Sequence, residues 1–403
     1  MKRILIFSLT YHPFIGGAEI AIKEITDRCD PTEFEFEMIT LRFDSNLPRV
    51  ERVGNITVHR IGFAVPGAKV SDRSLPFHCR VAKVLFPFTA FWKALWLHRG
   101  HHFDMTWAMM AGHAGFAAIF FQWMYPNTAY FLELQDGRPF GEMKQRRPIV
   151  RLLWPLYRKI YLNADIIKCI SYFLAEQVRT LDYTGTVEVI PNGVDVKRFS
   201  APVPDEKLIA LKMKFEKHDR DIFLFTASRL VLSRGIEDVI EALTHLPANV
   251  KFLIAGQGDD RKKLEHIAAG LGVSQRVLFA GHVTHHELPA YLRISTIFVR
   301  PSIIEGFGNA FVEAFAAGIP VIATPVGGIP DFLHDPERNP DKNPTGLFCG
   351  VHDPRSIARA VERYLDEPVL RDKIVENAKA LVADKYDWDL IAHDMRGRVF
   401  NAL

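Results

Sequence analysis

Residues 222–243 read IFLFTASRLVLSRGIEDVIEAL and decide the fold class. The run Ile222–Ser228 is short and largely apolar, which is typical of a strand in the interior of a parallel sheet. A loop that contains a glycine follows, and the apolar spacing over Ile236–Leu243 predicts a helix. A strand, a loop and a helix in this order are typical of parallel sheets with crossover helices. The stretch therefore predicts an α/β fold.

The same pattern recurs along most of the chain. It predicts strands at Arg3–Leu9, Phe34–Thr40, Ile56–Ile61, Asp104–Ala108, Thr128–Leu134, Asp165–Ser171 and Val187–Ile190, and then at Ile222–Ser228, Val250–Ala255, Val277–Ala280, Ile297–Arg300, Pro320–Ala323 and Gly346–Phe348. The turn-forming stretch Pro191–Asp195 separates the two series and predicts a linker. We expect two doubly wound domains, residues 1–191 and 192–386, that face each other across a ligand-binding cleft. Residues 387–403 are predicted to form a helix that packs back on the first domain.

Composition excludes several classes of protein. Of the 403 residues, 48% are hydrophobic and 24% are charged, which fits a folded chain rather than a disordered one. A net charge of +3 gives no general attraction to nucleic acid or to an anionic membrane, so any electrostatic function must be local. The four cysteines form no C-x-x-C pair, so neither a disulfide scaffold nor a zinc site is predicted. The uncharged stretch Trp107–Tyr125 is interpreted as a strand followed by a helix, not as a membrane span. We predict a cytoplasmic protein without a secretory signal.

Three loops that follow predicted strands carry residues suited to an anionic ligand. Gly16 and Gly17 allow a ligand to approach the backbone ahead of a helix, although the spacing is not G-x-G-x-x-G. Arg229 and Arg234 bracket a second loop and could clamp a diphosphate. Gly258 lies in a third loop. Each feature also has a structural interpretation, as a tight turn or as solvated surface charge.

The segment Arg300–Pro325, RPSIIEGFGNAFVEAFAAGIPVIATP, is more specific. Glu305 follows a buried strand, and Glu313 lies on a helix of small residues. Eight positions along a helix span about 12 Å, which is too far for one catalytic pair of carboxylates. We therefore expect the two glutamates to contact separate parts of one elongated ligand.

In their order and spacing these motifs resemble the family-4 glycosyltransferases, a retaining group with the GT-B fold. The matching elements are Gly16–Glu19, Pro191–Asp195, Arg229–Gly235, Gly256–Gly258, Phe279–Gly281, and the glutamate segment up to Ala323. The resemblance covers nearly the whole chain. It implies a GT-B fold of two Rossmann-like, doubly wound domains and a nucleotide-sugar donor, linked to UDP or GDP.

The resemblance also implies roles for individual residues. Arg229 and Arg234 would hold the diphosphate and stabilise the leaving group. Glu305, the third expected catalytic residue, would bond sugar hydroxyls, and Glu313 would bond the ribose. The other donor-binding residues are expected to be Gly16 and Gly17 over the diphosphate, Gln135 at a sugar hydroxyl, Gly258, Val283 beside the base, and the backbone of Gly306, Phe307, Gly308, Asn309 and Ala310.

The family mechanism is front-face attack by the acceptor, without a metal or other cofactor. The sequence has no Asp-x-Asp pair at a strand end that is suited to holding a divalent cation beside a diphosphate, which agrees with this expectation. Gln135 stands where many members of the family have a histidine, and an amide cannot take a proton at neutral pH. His12 and His113 are substitutes to consider for acceptor activation. Arg234 stands where lysine is commoner, which keeps the positive charge.

The acceptor cannot be read from the motifs and is expected to be a glycan, a lipid-linked molecule or a small molecule. The cationic segment Lys144–Ile160 is interpreted either as an amphipathic helix on the sheet or as a peripheral contact with the inner membrane face. For the aromatic residues of Val81–His98, including Phe88, Trp92 and Trp96, the sequence favours a place in the core.

Two other functions remain open at this point. A GT-B nucleotide-sugar epimerase would bind the same donor but would release an isomeric nucleotide sugar. A non-catalytic subunit would bind the donor without transfer or hydrolysis. Free nucleoside diphosphate together with a glycosylated product would identify a transferase.

Overall fold

The computed structural model describes residues 1–14, 16–68, 75–141 and 148–403. Their contacts divide the chain into two compact units. The first comprises Met1–Asn192 and Trp388–Leu403, and the second comprises Gly193–Asp387. The division falls one residue after the predicted boundary, and the terminal helix belongs to the first unit.

The first unit contains an eight-stranded sheet in the order β3-β4-β2-β1-β5-β6-β7-β8. All neighbouring strands are parallel except β3 and β4. Their bounds are β1 Lys2–Phe7, β2 Phe34–Leu41, β3 Val50–Val53, β4 Ile56–Ile61, β5 Met105–Met109, β6 Ala129–Leu134, β7 Ile166–Cys169 and β8 Thr186–Val189. Strand β3 is absent from the sequence prediction because its residues alternate between exposed and half-buried positions, and so it lacks a buried run.

Helices cover both faces of this sheet because alternate residues of a strand point to opposite sides. Ile4 and Ile6 of β1 join a core cluster with residues of the terminal segment, among them Phe400. Phe7 instead contacts the ring of Phe121, with the two ring centroids 6.5 Å apart. The helices are Gly17–Asp27, Phe77–Gly100, His113–Met124, Pro148–Leu152, Trp154–Leu162, Tyr172–Arg179 and Trp388–Met395, the last continued by a π-helical turn at Arg396–Phe400.

The aromatic residues of the helix Phe77–Gly100 are not uniformly buried. Phe86 is fully buried, as the sequence suggested. The expectation is wrong for Phe88, Trp92 and Trp96, which are all exposed. The helix is apolar on more than one face, so its composition could not indicate which face packs on the sheet.

The stretch Trp107–Tyr125 forms β5 and the following helix, which confirms the predicted strand-to-helix passage. No helix in the described ranges combines the length and the apolar character needed to cross a membrane. The predicted cationic segment begins at residues 144–147, which lie outside the described residues. Its remainder forms the short helices Pro148–Leu152 and Trp154–Leu162.

The second unit contains a parallel six-stranded sheet in the order β11-β10-β9-β12-β13-β14. Its strands are β9 Ile222–Ala227, β10 Val250–Ala255, β11 Val277–Gly281, β12 Ile297–Arg300, β13 Val321–Ala323 and β14 Leu347–Phe348. The helices are Val196–Ser200, Asp205–Lys214, Ile236–Ala242, Arg261–Gly270, Leu288–Arg293, Asn309–Ala316, Pro354–Asp366 and Pro368–Lys385.

The strand order of this second sheet predicts where a ligand binds. From β9 the chain adds β10 and β11 on one side, and then returns to place β12 on the other side of β9. Crossover connections therefore leave β9 and β12 in opposite directions. In open α/β sheets the crevice at such a reversal, beside the carboxyl ends of the two strands, is the usual ligand site.

Candidate functional site

Two loops meet at the carboxyl ends of β9 and β12. The loop after β9 contains Arg229 and Arg234, and the loop after β12 contains Glu305. A backbone hydrogen bond of 2.9 Å from the N–H of Ile303 to the carbonyl of Ser233 joins the two loops. The switch point of the second sheet thus brings Arg234 and Glu305 together, and Arg229 lies on the same β9 loop as Arg234.

Glu305 is buried and holds two arginines. Its Oε2 accepts a hydrogen bond of 2.6 Å from Nη1 of Arg234 and one of 3.0 Å from Nη2 of Arg300. The hydroxyl of Ser302 lies 3.4 Å from the same oxygen. Charge-assisted hydrogen bonds of this kind are short and directional. Glu305 therefore fixes the position of Arg234, whose side chain is only 22% exposed.

Arg300 is the last residue of β12, and it is buried. Its guanidinium also donates to the carbonyl of Ala227 at the end of β9 and lies 4.2 Å from the centroid of the Phe311 ring. Burial lowers the pKa of Arg300 to about 10; the negative charge of Glu305 opposes this change, and the positive charge of Arg234 adds to it. Arg300 is therefore still charged at neutral pH. It ties both central strands to Glu305.

The helix Asn309–Ala316 begins directly after this loop, at Gly308. Gly308 has a φ of 95°, a conformation that residues with a side chain rarely adopt. A Cβ at this position would lie 2.5 Å from the Phe311 ring and 2.9 Å from Nη2 of Arg300. The first N–H groups of a helix lack partners within the helix and favour an anion. The predicted residues Gly306, Phe307, Asn309 and Ala310 flank Gly308, and Phe307 itself is buried against Phe332 and Tyr386.

Glu313 lies on the same helix and is also buried. Its Oε1 is 2.8 Å from Nε2 of His285, and Nδ1 of His285 is 3.0 Å from Nη2 of Arg198. Because a guanidinium only donates hydrogen bonds, Nδ1 accepts and Nε2 donates to Glu313. The backbone N–H of Arg198 donates in turn to Asp195, at 2.9 Å. A hydrogen-bonded series thus runs from the predicted ribose contact to the motif Pro191–Asp195.

The other predicted residues of the second unit lie around these loops. Arg229 is exposed on the β9 loop. Gly258 packs so tightly on that loop that an added Cβ would lie 2.2 Å from the carbonyl of Leu230. Val283 is half-buried and precedes His285 by two residues. Arg229, Gly258 and Val283 thus each lie in a segment that follows the carboxyl end of a strand, namely β9, β10 and β11.

In the first unit, Gln135 follows β6 and pairs with Asn192. Nδ2 of Asn192 donates to Oε1 of Gln135 at 2.8 Å, and Nε2 of Gln135 donates to Oδ1 of Asn192 at 3.0 Å. Nε2 of Gln135 also donates to Glu133 at 2.7 Å. Glu133 and Lys168 form an ion pair in which both side chains are fully buried. Gln135 is thus held by a buried polar network.

The sequence predicted Gly16 and Gly17 ahead of a helix that starts at Ile20; the helix starts three residues earlier, at Gly17, and Gly16 is its N-cap. His12 precedes them, and its Nε2 is buried with no hydrogen-bond partner among the described residues. Burial and the charge of Lys23 lower the pKa of His12. The ring is therefore neutral near pH 7. His113 begins the helix after β5.

Two family models match the chain over complementary ranges. One, described as Glycosyltransferase Family 4, matches residues 15–198, and the other, described as Glycosyl transferases group 1, matches residues 209–381. Between them they match most of both units. The chain belongs to the family-4 glycosyltransferases.

Relatives of this family-4 chain include proteins matched over one part and over the whole. A glycosyltransferase of Methanocaldococcus jannaschii, itself called uncharacterized, is 34% identical over 59% of this chain and 60% of its own length. The D-inositol 3-phosphate glycosyltransferase of Streptomyces avermitilis is 26% identical over 94% of this chain and 81% of its own length. Three of the curated relatives are matched over only 55–61% of their length, so the chain spans about three fifths of them.

Solved structures agree on the fold of the family-4 chain. Sucrose-phosphate synthase from Thermosynechococcus elongatus has a TM-score of 0.80 at 22% identity, over the full length of both chains. Anabaena HepE, solved with UDP and glucose, has a TM-score of 0.75 at 17% identity, also over both full lengths. At these identities the likeness shows the fold alone, which is GT-B with two Rossmann-like sheets.

Sequence reasoning about this family-4 chain missed four residues of the site. Arg300 carried a signal, because a charged residue closes an otherwise apolar strand. Ser302 follows it without any pattern of its own. His285 and Arg198 carried no local signal, since their partners lie 28 and 87 residues away in the chain.

Proposed function

We propose that the chain is a retaining glycosyltransferase that moves a sugar from a nucleoside-diphosphate sugar to a hydroxyl acceptor without a metal ion. One observation carries the proposal: Glu305 fixes Arg234 at the switch point of the second sheet, beside the start of the helix Asn309–Ala316. A fixed cation beside the N-terminus of a helix suits a diphosphate.

The charge balance of this place supports an anionic ligand. Arg229, Arg234 and Arg300 bring three positive charges to the two loops, against two carboxylates, Glu305 and Asp260, the latter accepting from the N–H of Leu232 in the β9 loop. Arg300 is buried and already engaged, so Arg229 and Arg234 are the cations proposed to contact the diphosphate. As the sugar bond breaks, negative charge grows on the leaving diphosphate, and cations held in position stabilise it most.

The roles of the remaining donor-binding residues are those that the resemblance to family 4 implies. Glu305 would also bond sugar hydroxyls, Glu313 would bond the ribose, and Val283 would flank the base. The backbone of Gly306–Ala310 and Gly258 would complete the donor contacts in the second unit. Gly16, Gly17 and Gln135 remain proposed donor-binding residues of the first unit, and His12 is the proposed residue for acceptor activation.

The acceptor is proposed to be a glycan or a lipid-linked molecule, and the protein is proposed to work in the cytoplasm. Peripheral binding to the inner membrane face through residues 144–160 remains part of this proposal. The exposed Arg151, Leu152 and Lys159 of this segment support it.

Mass-spectrometric screening of UDP- and GDP-linked sugars with the purified protein tests the proposal directly. We expect one donor to be converted to free nucleoside diphosphate and a glycosylated product, with the anomeric configuration retained and the rate unchanged by EDTA. An isomeric nucleotide sugar, or no conversion across the whole donor panel, would contradict the proposal.

Substitution of the arginines tests their roles. Arg229→Ala and Arg234→Ala should each lower turnover about 10²-fold, since a contact that stabilises the transition-state charge is worth ~3 kcal/mol. Arg371→Ala is the matched control, because Arg371 pairs with Asp372 on another helix of the same unit. Unchanged kinetics in both site variants would refute the assignment.

A further inference from the structure

The helix Phe77–Gly100 presents aromatic side chains to the outside of the first unit. Phe88, Trp92 and Trp96 are 54%, 66% and 64% exposed. Their spacing of four residues places them on one face of the helix. Val84 lies on the same face and is also exposed. Monomeric proteins seldom expose contiguous apolar patches of this kind without a partner.

The neighbouring helix His113–Met124 extends this face. Phe88 stacks on Phe120, with ring centroids 5.5 Å apart, and Phe120 contacts Trp123 at 5.6 Å. Trp123 and Met124 are about half exposed. Together these exposed side chains form what we call the aromatic surface: Val84, Phe88, Trp92, Trp96, Trp123 and Met124.

The formally charged residues of the two helices that carry the aromatic surface are all basic. The helix Phe77–Gly100 contains Arg80, Lys83, Lys93 and Arg99 but no Asp or Glu, and the helix His113–Met124 contains no Asp, Glu, Lys or Arg. Lys93 lies 3.9 Å above the ring of Trp96. The whole chain has a net charge of only +3, so these two helices are more basic than the chain as a whole.

We propose that the aromatic surface binds the face of an anionic phospholipid bilayer. Tryptophan favours the boundary between headgroups and acyl chains, because its ring is apolar and its N–H is polar. Basic residues without carboxylates among them are attracted to anionic lipid. A helix that combines the two properties lies in the membrane plane rather than across it.

The absence of carboxylates on these two described helices favours the bilayer over a second copy of the chain. In a two-fold dimer the same surface would face itself, so like charges would meet and repel. An anionic bilayer satisfies both features of the surface at once. The aromatic surface lies outside residues 144–160, and membrane binding requires no sugar nucleotide, so failure of this inference would leave the proposed sugar transfer untouched.

Vesicle binding tests the inference with the full chain. We expect co-sedimentation with vesicles of phosphatidylcholine that contain 30 mol% phosphatidylglycerol, and much weaker binding to pure phosphatidylcholine. Acyl chains brominated near the headgroup should quench tryptophan fluorescence. The variant Trp92→Ala/Trp96→Ala should lower the ratio of bound to free protein at least tenfold and remove most of the quenching.

Two further variants distinguish electrostatic attraction from non-specific hydrophobic adsorption. Arg80→Gln/Arg99→Gln should weaken binding to the anionic vesicles about fivefold for each charge removed. Added salt should reduce the difference in vesicle binding between this variant and the wild type. Ile209→Ala/Met213→Ala is the matched control. It removes two exposed apolar side chains from a helix of the second unit and should leave vesicle binding and tryptophan quenching unchanged.

Three results would overturn the inference. The first is equal binding to neutral and anionic vesicles, and the second is unchanged binding of the variant Trp92→Ala/Trp96→Ala. The third is a dimer, measured by light scattering, that this variant dissociates while the wild type binds no vesicle. Circular dichroism of each variant should match the wild type, because all the substituted side chains are at the surface.

Discussion

Gly308→Ala should damage both the stability of the second unit and its candidate site. The new Cβ would lie 2.5 Å from the Phe311 ring and 2.9 Å from Nη2 of Arg300. A φ of 95° is also unfavourable for alanine. Relief of the contacts requires movement of the Arg300 guanidinium, which holds Glu305. The effect should therefore reach Arg234 through Glu305.

The size of this effect can be worked out from two contributions. Holding alanine in an unfavourable backbone conformation costs about 1–3 kcal/mol. Overpacking against a buried ring costs about 1–3 kcal/mol more. A combined loss of about 4 kcal/mol would lower the melting temperature of a unit of this size by roughly 8–16 °C. We also expect UDP or GDP, whichever the protein binds, to bind at least tenfold more weakly.

Gly318→Ala is the matched control, because Gly318 ends the same helix with a φ of 74°. A Cβ there would lie no nearer than 3.6 Å to its neighbours, which is ordinary contact. This variant should show only the backbone cost of about 1–3 kcal/mol and should keep the wild-type nucleotide affinity. Thermal unfolding and nucleotide titration measure both effects. Equal losses of stability in the two variants, or unchanged affinity in Gly308→Ala, would refute the reasoning.

Three other predictions concern buried or half-buried residues. Lys168→Met leaves the Glu133 carboxylate buried without its cation and should cost about 3–5 kcal/mol in urea unfolding. The control is Arg179→Ala, which breaks an exposed pair and should cost under about 1 kcal/mol; similar losses would contradict the prediction. His285→Ala should weaken nucleotide binding about tenfold by loosening Glu313, whereas His285→Gln, which can still donate and accept, should restore it. In titrations, His285→Ala should also discriminate less between ribonucleotides and 2′-deoxynucleotides, and unchanged discrimination would count against the role of Glu313. Burial acts to raise the pKa of Glu37, but hydrogen bonds and charge from His59 and His101 outweigh it and lower that pKa below 4.5. Glu37 therefore stabilises the fold above pH 4.5 and loses this contribution as the pH falls through the lowered pKa. Glu37→Gln should lose less stability than the wild type between pH 5 and pH 3, and parallel curves would show that Glu37 does not contribute.

Much of the fold could be predicted because buried parallel strands leave a strong local signal. Every predicted strand overlaps a strand of the structure. Strand β3 of the structure was not predicted. It pairs antiparallel at the edge of its sheet, and none of its four residues is buried, so no apolar run marks it. The error at Phe88, Trp92 and Trp96 has a related cause. Aromatic composition predicts burial only where one face of a helix is clearly polar, and this helix has no such face.

The candidate site also has residues that the sequence could predict and residues that it could not. Positions directly after buried strands, such as Arg229, Arg234 and Glu305, could be predicted because parallel strand ends meet at one edge of a sheet. Their partners could not be predicted. Arg234 and Glu305 are 71 residues apart, and Gln135 and Asn192 are 57 residues apart. Such pairings depend on the exact path of each loop, and no local pattern encodes that path.

The return of residues 388–403 to the first unit affects the order in which the protein can fold during synthesis. Trp388, Met395 and Phe400 complete the same apolar cluster as Ile4 and Ile6 of the first strand. A ribosome makes these residues after it has made all of the second unit, Gly193–Asp387. The nascent first unit must therefore wait with part of its core uncovered while the second unit is translated. A chaperone that shields nascent chains would protect the first unit during that interval.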